Sequence, residues 1–207
     1  TRSVAPPYGL FAYRVDPHRF VLGGATSNAG IIRQWALDTL RVPLQGDALD
    51  RWIAKRPPGH HGLTLLPFLN GERAPYWRDD LSATVRGLRI STTPLDFVSA
   101  LTEATYHRLA LIAAQIPGAK RRVAIVSGGL ARSPAAARML ADVTGLKVRA
   151  CLETEATLRG AGVLALERLG HTPPAPTLGP LVAPDPARSR AFARLRREHM
   201  TLEERLT

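Results

Sequence analysis

The sequence predicts an α/β fold, and three observations support that prediction. A short apolar run, Val123–Val126, is followed by the paired glycines Gly128 and Gly129 and by a helix start at Ser133. Strand and helix patterns alternate twice in this part of the chain, which is typical of parallel strands joined by right-handed crossovers. A long helix that begins at Pro94 keeps an apolar stripe, as a half-buried helix does.

The first half of the chain supplies the other predicted strands and helices. Two strands are joined through Asp16-Pro17-His18, which favours a turn and therefore a hairpin. Thr93 is placed to cap the long helix, and Asp96 complements its positive end. In order, we predict strands at residues 10–15 and 20–22, helices at 29–40 and 47–54, strands at 63–69 and 84–90, and the long helix, which ends before 117–118.

The second half continues the alternation and then changes character. We predict a strand at 122–126, a helix at 134–144, a strand at 146–150 and a helix at 155–169. Gly160 and Gly162 lie inside the last of these helices and cost about 1 kcal/mol each relative to Ala, so a neighbouring helix or a nucleotide is expected to pack closely there. The expected division is a domain at 1–170 and, at 171–207, a Pro-rich linker with a basic surface helix packing on that domain.

The charge of the chain raises the question of a polyanionic partner. Its 28 Lys and Arg residues against 17 Asp and Glu residues give a net charge of +11. The basic residues are spread over the chain, however, and no helix-turn-helix, zinc-ligand set or aromatic RNA-binding sequence accompanies them. A solvated basic surface, facing an anionic substrate or an acidic partner domain, is therefore favoured over nucleic-acid binding.

Cysteine, histidine and hydropathy patterns exclude further classes of site. The single cysteine, Cys151, excludes an intrachain disulfide and is compatible with a reducing compartment. No apolar run approaches the roughly 18 to 20 residues of a membrane span, so we expect a soluble, cytoplasmic protein that does not bind a membrane. The pair His60-His61 predicts no metal site, because adjacent side chains point in different directions and no other ligands join them.

The glycine pair after Val123–Val126 is the first candidate binding motif. Gly128 and Gly129 have no Cβ, so a charged ligand can approach the backbone where a helix presents free N–H groups. Ser133 can cap that helix with its hydroxyl, and Pro134 suits its first position. A nucleotide fits this description, but a plain tight turn between strand and helix explains the same residues.

A second candidate is the loop at residues 70–80, which mixes turn, charged and aromatic residues. Glu72, Arg73 and Trp77 could hold a polar ligand or lock the loop, and the locking role is favoured. On the helix at 29–40, Gly30 and Gln34 lie one turn apart. Close helix packing explains the glycine, and exposure to solvent explains the glutamine, without any ligand.

Five motifs taken together resemble the C-terminal half of the FGGY family of carbohydrate kinases. The resemblance covers nearly the whole chain and departs only mildly at Leu101. Its anchors are Gly24 with Asn28-Ala29-Gly30 and Gln34-Trp35, residues 67–77, Gly87-Leu88 with Asp96-Phe97 and Glu103, Ser127-Gly128-Gly129 with Ser133, and Leu158-Arg159-Gly160-Ala161-Gly162.

The resemblance implies a ribonuclease-H-like domain, a mixed sheet with flanking helices, with ATP in a cleft against an N-terminal kinase domain. It implies nucleotide contacts at Gly30, Gln34, Gly128, Gly129 and Ser133. The implied reaction transfers the γ-phosphoryl group of ATP, with Mg²⁺, to a sugar hydroxyl. In the family the catalytic Asp and the first phosphate loop belong to the N-terminal part, so no catalytic base and no metal ligand is assigned here, and the chain alone is expected to be inactive.

The opening segment at residues 9–16, followed by 23–28, looks most like the gluconokinase-type branch, with xylulokinase next. Gluconate is therefore the favoured sugar substrate. A homodimer is possible under this interpretation. The alternative is a non-catalytic binding module or regulator derived from a kinase half.

Overall fold

The computed structural model describes residues 5–206 of the chain and, of Lys120, only the backbone. Within this range the chain forms six strands and six α-helices. The strands are β1 (Phe11–Arg14), β2 (Phe20–Gly23), β3 (Thr64–Leu66), β4 (Thr84–Arg86), β5 (Val123–Val126) and β6 (Lys147–Ala150). The helices are α1 (Gly30–Thr39), α2 (Gly46–Ala54), α3 (Pro94–Gln115), α4 (Pro134–Thr144), α5 (Ala156–Arg168) and α6 (Pro186–Glu204), and 3₁₀ turns cover Ala119–Arg121 and Gly128–Arg132.

The predicted parallel unit is present as β5, α4 and β6. The two strands run parallel, with Val123 opposite Lys147 and Val126 opposite Ala150. Ser133 caps α4, since its hydroxyl accepts a hydrogen bond from the backbone N–H of Ala136 at 3.2 Å. The strand, glycine turn and capped helix predicted from the sequence are therefore confirmed, and the two glycines begin a 3₁₀ turn that ends just before α4.

The strands pair as three separate two-stranded sheets within the described residues, where the family resemblance implies a single mixed sheet. β1 and β2 form the predicted hairpin, β3 and β4 a second antiparallel pair, and β5 and β6 the parallel pair. β3 and β4 are shorter than predicted, at three residues each. Pro67 has no N–H to donate after β3, and Gly87, with φ 93°, turns the chain after β4.

The long helix α3 runs through the core of the molecule. Its start has the expected capping box, in which Thr93 and Asp96 each accept a hydrogen bond from the other's backbone N–H. α3 packs against α1, α4, α6 and β3, and its Val98 and Ala104 are fully buried. It therefore contributes to the main apolar cluster over most of its length.

The chain after α5 packs more closely on the rest of the domain than a linker and a surface helix would. The backbones of Val148 and Val182 exchange two hydrogen bonds at 2.9 and 2.8 Å, so the Pro-rich segment lies along the outer edge of β6. Asp185 caps α6 by accepting from the N–H groups of Ala187 and Arg188. α6 then packs on α3, α4 and β3 with Phe192 fully buried. The sequence pattern missed this burial because basic residues flank the few inward side chains.

Helix α5 has a different environment. None of its residues is buried, and ideal Cβ atoms on Gly160 and Gly162 would have no neighbouring heavy atom within 4 Å. The close packing partner expected at these glycines is thus not found among residues 5–206. In the same range no helix has both the length and the hydropathy that a membrane span needs.

Candidate functional site

A cleft of about 490 Å³ lies between α1, α2, α3 and the 3₁₀ turn Gly128–Arg132. Apolar side chains, most of them from α1, α3 and the 3₁₀ turn, form much of its wall, and glycines and polar groups form the rest. The apolar residues are Ala29, Leu37, Leu101, Leu109, Leu130 and Ala136; the others are Gly30, Arg33, Gln34, Gly46, Asp50, Thr102, Thr105, Tyr106, Gly129 and Arg132. A mostly apolar cleft with a few convergent polar groups is typical of a small-molecule site.

Three of the five predicted nucleotide contacts line this cleft, namely Gly30, Gln34 and Gly129. They come from two distant parts of the sequence, the start of α1 and the turn after β5. Gly128 and Ser133 flank the cleft without forming its wall. The tertiary structure therefore brings the two glycine motifs to one place.

The glycines leave open space at the cleft. An ideal Cβ on Gly30 or on Gly129 would meet no heavy atom within 4 Å. Gly128 has φ +68°, a conformation that favours glycine, and it too has open space around its Cα. Close packing among the described residues therefore does not explain the absence of side chains at these positions.

The N-terminus of α1 opens onto the cleft at Ala29 and Gly30. Ala29 occupies the N-cap position and supplies no side-chain cap. Because the first N–H groups of a helix have no partner within the helix, those of α1 can bind an anion. One turn later the Gln34 amide donates to Asp38 Oδ1 at 2.9 Å and so points along the helix in this structure.

The Ser133 side chain makes two hydrogen bonds within the chain. Its side chain is almost fully buried, and its hydroxyl both accepts from the Ala136 N–H and donates to Asp47 Oδ1 at 2.9 Å. These two bonds connect the start of α4 to the start of α2. Ser133 therefore holds the walls of the cleft together, and a direct ligand contact would compete with bonds that it already makes.

The structure also brings polar residues into the cleft that the sequence analysis did not select. Arg33 of α1 and Asp50 of α2 form an ion pair at 2.6 Å, which joins the two helices. Tyr106 of α3 lies beside them, and burial followed by the charge of Asp50 raises the pKa of its hydroxyl. In the sequence, the only indication that Arg33 belongs to the site was its position next to Gln34. No local sequence pattern indicates that α2 lies opposite α1.

Arg132 supplies a positive charge at the end of the 3₁₀ turn. It lines the cleft, and no acidic side chain pairs with it among residues 5–206. Unlike Arg33, whose charge Asp50 balances, Arg132 can attract an anionic group. The cleft thus combines an apolar interior with open glycines, a helix N-terminus and a cation.

The loop at residues 70–80 is fixed by buried polar contacts. Asn28, itself buried, donates to the Gly71 carbonyl and accepts from the Asn70 N–H at 3.1 Å. Glu72 pairs with Arg108 of α3, which also pairs with Glu203 of α6 at 2.6 Å. The structure supports the locking role favoured for Glu72.

The histidine pair also has structural partners. His61 accepts from the Leu63 N–H through Nδ1 at 3.0 Å and places Nε2 3.2 Å from Glu103. Burial is the main cause that lowers the pKa of His60. In the part of the chain that the structure describes, no three His, Cys, Asp or Glu side chains are placed to hold a metal ion.

Comparison with known proteins gives a consistent result across sequence and fold. A family model described as the C-terminal domain of the FGGY family of carbohydrate kinases matches residues 1–167. A glycerol kinase from Xanthobacter autotrophicus is 32% identical over 169 residues, or 79% of this chain and 34% of that protein. A gluconokinase from Bacillus licheniformis is 28% identical over 175 residues, or 78% of this chain and 34% of that protein.

Solved structures share the fold. A ligand-bound xylulose kinase from Lactobacillus acidophilus superimposes with a TM-score of 0.83 at 22% identity, over 96% of this chain and 42% of that chain. A Plasmodium falciparum glycerol kinase with ADP gives 0.71 at 19% identity, over 93% and 42%. The α/β fold expected from the resemblance is therefore confirmed as that of the sugar kinases. The chain spans about a third of the length of the curated relatives it matches, and it belongs to the FGGY family of carbohydrate kinases, as the C-terminal domain of such an enzyme.

Proposed function

We infer that this chain is the ATP-binding part of a kinase that transfers the γ-phosphoryl group of ATP to a hydroxyl of a sugar or sugar acid. The observation that carries this proposal is the meeting of Gly30 and Gln34 of α1 with Gly129 of the 3₁₀ turn in one cleft. Each motif alone is explained by a turn or by helix packing. Their convergence around open space favours a ligand that needs backbone access on two sides.

The chemistry of the cleft suits a nucleotide in a definite orientation. The apolar wall formed by Leu37, Leu101 and Leu109 can accept a flat base. The phosphates would lie toward Gly129 and Arg132, where backbone N–H groups and a positive charge favour anions. Ser133 then acts as a positioning residue, because its bonds to Asp47 and Ala136 hold this turn in place.

The catalytic base would come from outside this chain. Asp142 is fully buried and accepts from Arg188 and from the Asp185 N–H. Asp80 pairs with Arg78 at 2.6 Å, which lowers the pKa of its carboxyl and makes it a weaker base. Neither these two nor Asp79 lines the cleft. We therefore expect no phosphoryl transfer by the chain alone.

Mg²⁺ enters the proposal only as the companion of the ATP phosphates, whose charge it would neutralise during transfer. The described residues contain no three-ligand group that fits a divalent cation. No residue of this chain is assigned to the metal.

Gluconate remains the favoured acceptor, with xylulose second, since the opening segment resembles the gluconokinase branch. The curated relatives named above are a glycerol kinase and a gluconokinase at similar identity, so glycerol belongs in the same assay. ADP formation by the full-length enzyme with each acceptor would identify the substrate. Higher kcat/KM for glycerol than for gluconate would reject the branch assignment.

The ATP-binding proposal is tested by titrating ADP into the chain in a calorimeter. Gly129→Val should reduce affinity by tenfold or more, about 1.4 kcal/mol, because the new side chain fills open space at the cleft. Gly160→Val is the matched control: it too has no atom within 4 Å of an ideal Cβ but lies away from the cleft, and it should bind as the wild type does. Equal affinity of Gly129→Val and wild type would remove this turn from the site.

The alternative is a non-catalytic module that binds a polyanion through the +11 charge. Duplex DNA affinity that falls steeply with salt, together with no ADP binding, would favour it.

A further inference from the structure

Helix α2 forms one wall of the cleft, and its position depends on contacts with other elements. It has nine residues, and isolated helices shorter than roughly 12 to 15 residues are marginal in water. Gly46 and Asp50 of α2 line the cleft, and Asp50 pairs there with Arg33 of α1. A shift of α2 would therefore move this ion pair and change the shape of the cleft.

The two ends of α2 are held by different elements. At its start, Asp47 Oδ1 accepts a hydrogen bond from the Ser133 hydroxyl, at the beginning of α4. Just after its end, the Arg56 carbonyl accepts a hydrogen bond at 2.9 Å from the guanidinium of Arg188, in the first turn of α6. The C-terminal helix of the domain is thus bonded to the chain that leaves the cleft wall.

The Arg188 side chain is itself fixed on several sides. Its Nε donates to Asp142 Oδ2 of α4 at 2.9 Å, and the other Asp142 oxygen accepts from the Asp185 N–H at 2.8 Å. Its guanidinium also lies over the ring of Phe192, which is fully buried. A planar guanidinium holds its donors in fixed directions and can therefore bind a carboxylate and a carbonyl at once. Arg188 connects α6, α4 and the end of α2 in this way.

The loop that follows α2 also packs against α6. An ideal Cβ on Gly59 would lie 2.9 Å from a methyl carbon of Leu195 in α6. The Gly59 N–H donates to the Glu103 carboxylate of α3 at 3.2 Å. The chain leaving α2 is therefore held between α6 and α3, and the Arg188 bond lies at the start of this contact.

We propose that α6 positions the α2 wall of the nucleotide cleft and that Arg188 is the positioning residue. Arg188 does not line the cleft, so it acts through the Arg56 carbonyl and α2. Helix α6 lies beyond residues 1–167, which the family model matches. The effect on nucleotide affinity rests on the proposed function, whereas the effect on the position of α2 does not.

Amide hydrogen exchange of the chain without nucleotide tests the effect on α2. Arg188→Met should speed the exchange of α2 relative to that of α1 by about tenfold or more, because one end of α2 is released. Arg196→Met is the matched control, since Arg196 of α6 also donates to a backbone carbonyl, that of Val143 in α4, at 2.9 Å. It should leave the ratio of α2 to α1 exchange unchanged. Equal ratios for the two variants would overturn the proposal.

Arg188→Lys keeps the test valid if Arg188→Met does not fold. A lysine retains a positive charge beside the buried Asp142, but its single ammonium lacks the fixed pair of donors that reach Asp142 and Arg56 together. We expect a melting temperature close to that of the wild type and faster exchange of α2 relative to α1. Wild-type exchange of α2 in this variant would show that charge alone is needed, and would overturn the positioning role.

ADP titration in a calorimeter tests the consequence for the cleft. Arg188→Lys should weaken ADP binding about threefold to tenfold, because α2 must then be ordered on binding. Arg196→Met should bind as the wild type does. If the wild type binds ADP and Arg188→Lys binds it equally tightly, the positioning role fails and the nucleotide site stands. If the wild type binds no ADP, the ATP-binding proposal fails, and the exchange of α2 alone supports or overturns the role of Arg188.

Discussion

The side of α3 that faces α6 and the surface around α5 differ in whether their side chains find partners within this chain. Between α3 and α6, the charged side chains of Arg108, Glu72 and Glu203 are buried and paired with one another. Around α5, apolar side chains such as Leu158 face solvent without a partner. A buried charge without its partner costs several kcal/mol, so the first region must be complete within the chain. The apolar surface can instead be completed by association.

The largest expected effect is the loss of Arg108. Arg108→Met would leave Glu72 and Glu203 buried without a cation, and should lower the free energy of unfolding by about 3 to 5 kcal/mol. Urea unfolding of the chain measures this difference. Arg194→Met is the control, since the Arg194 side chain is 70% exposed, and it should change little. If Arg108→Met lowers the free energy of unfolding by less than about 1 kcal/mol, the carboxylates of Glu72 and Glu203 are not buried against Arg108 as they are in the structure.

Low pH should weaken the packing of α6 on α3, the region that contains Arg108. Burial, followed by the charges of His61 and Arg108, lowers the pKa of His199 to about 4 from its ordinary 6.5. Burial, followed by the charge of His199, lowers the pKa of His107. Between pH 6.5 and 4 the unfolded chain binds protons that the folded chain does not, so stability is lost as pH falls through this window.

The contribution of His199 is on the order of 3 kcal/mol. Urea unfolding at several pH values between 7 and 4 would measure it, and His199→Gln should flatten the profile. The matched variant His171→Gln, at an exposed position, should keep the wild-type slope. Identical slopes for all three proteins would show that His199 titrates in the folded state as it does in the unfolded chain.

Ser133 connects the cleft to the core, and its replacement should have an intermediate effect on stability. Ser133→Ala removes the α4 cap and the bond to Asp47, and should cost about 1 to 2 kcal/mol in unfolding free energy. Ser127→Ala, at an exposed position without a cap bond, should cost much less. ADP affinity of Ser133→Ala should fall less than that of Gly129→Val. The reverse order would assign Ser133 a direct contact with the nucleotide.

The smallest effect is expected on the uncovered helix. Leu158→Ser should change the stability of this chain by less than about 0.5 kcal/mol, because the side chain is mostly exposed. The same change in the full-length kinase should be clearly destabilising if α5 is covered there. Thermal unfolding of both proteins gives the comparison, and no difference between them would mean that α5 stays exposed.

Local features were predictable where neighbours in sequence decide them. The Thr93 and Asp96 capping box and the Ser133 cap were identified correctly, because each involves residues three positions apart. The parallel pair of β5 and β6 followed from the alternation of strand and helix patterns. The family also followed from the sequence, since its motifs keep their order along the chain.

Other features depended on contacts between distant parts of the chain. The ion pair of Arg33 with Asp50 and the depth of Phe192 in the core could not be predicted from local patterns. The side chains that meet there lie on different helices, and only the packing of those helices decides which of them face each other.

The sequence by itself determined the α/β class, the capped helices, the kinase family and the two glycine motifs. Only the tertiary structure decided that Gly30 and Gly129 share a cleft, that the Ser133 hydroxyl already has two partners, and that α5 has none of its residues buried. The physical reason is that a sequence motif fixes the local backbone, whereas burial and long-range pairing depend on which surfaces the rest of the fold brings together.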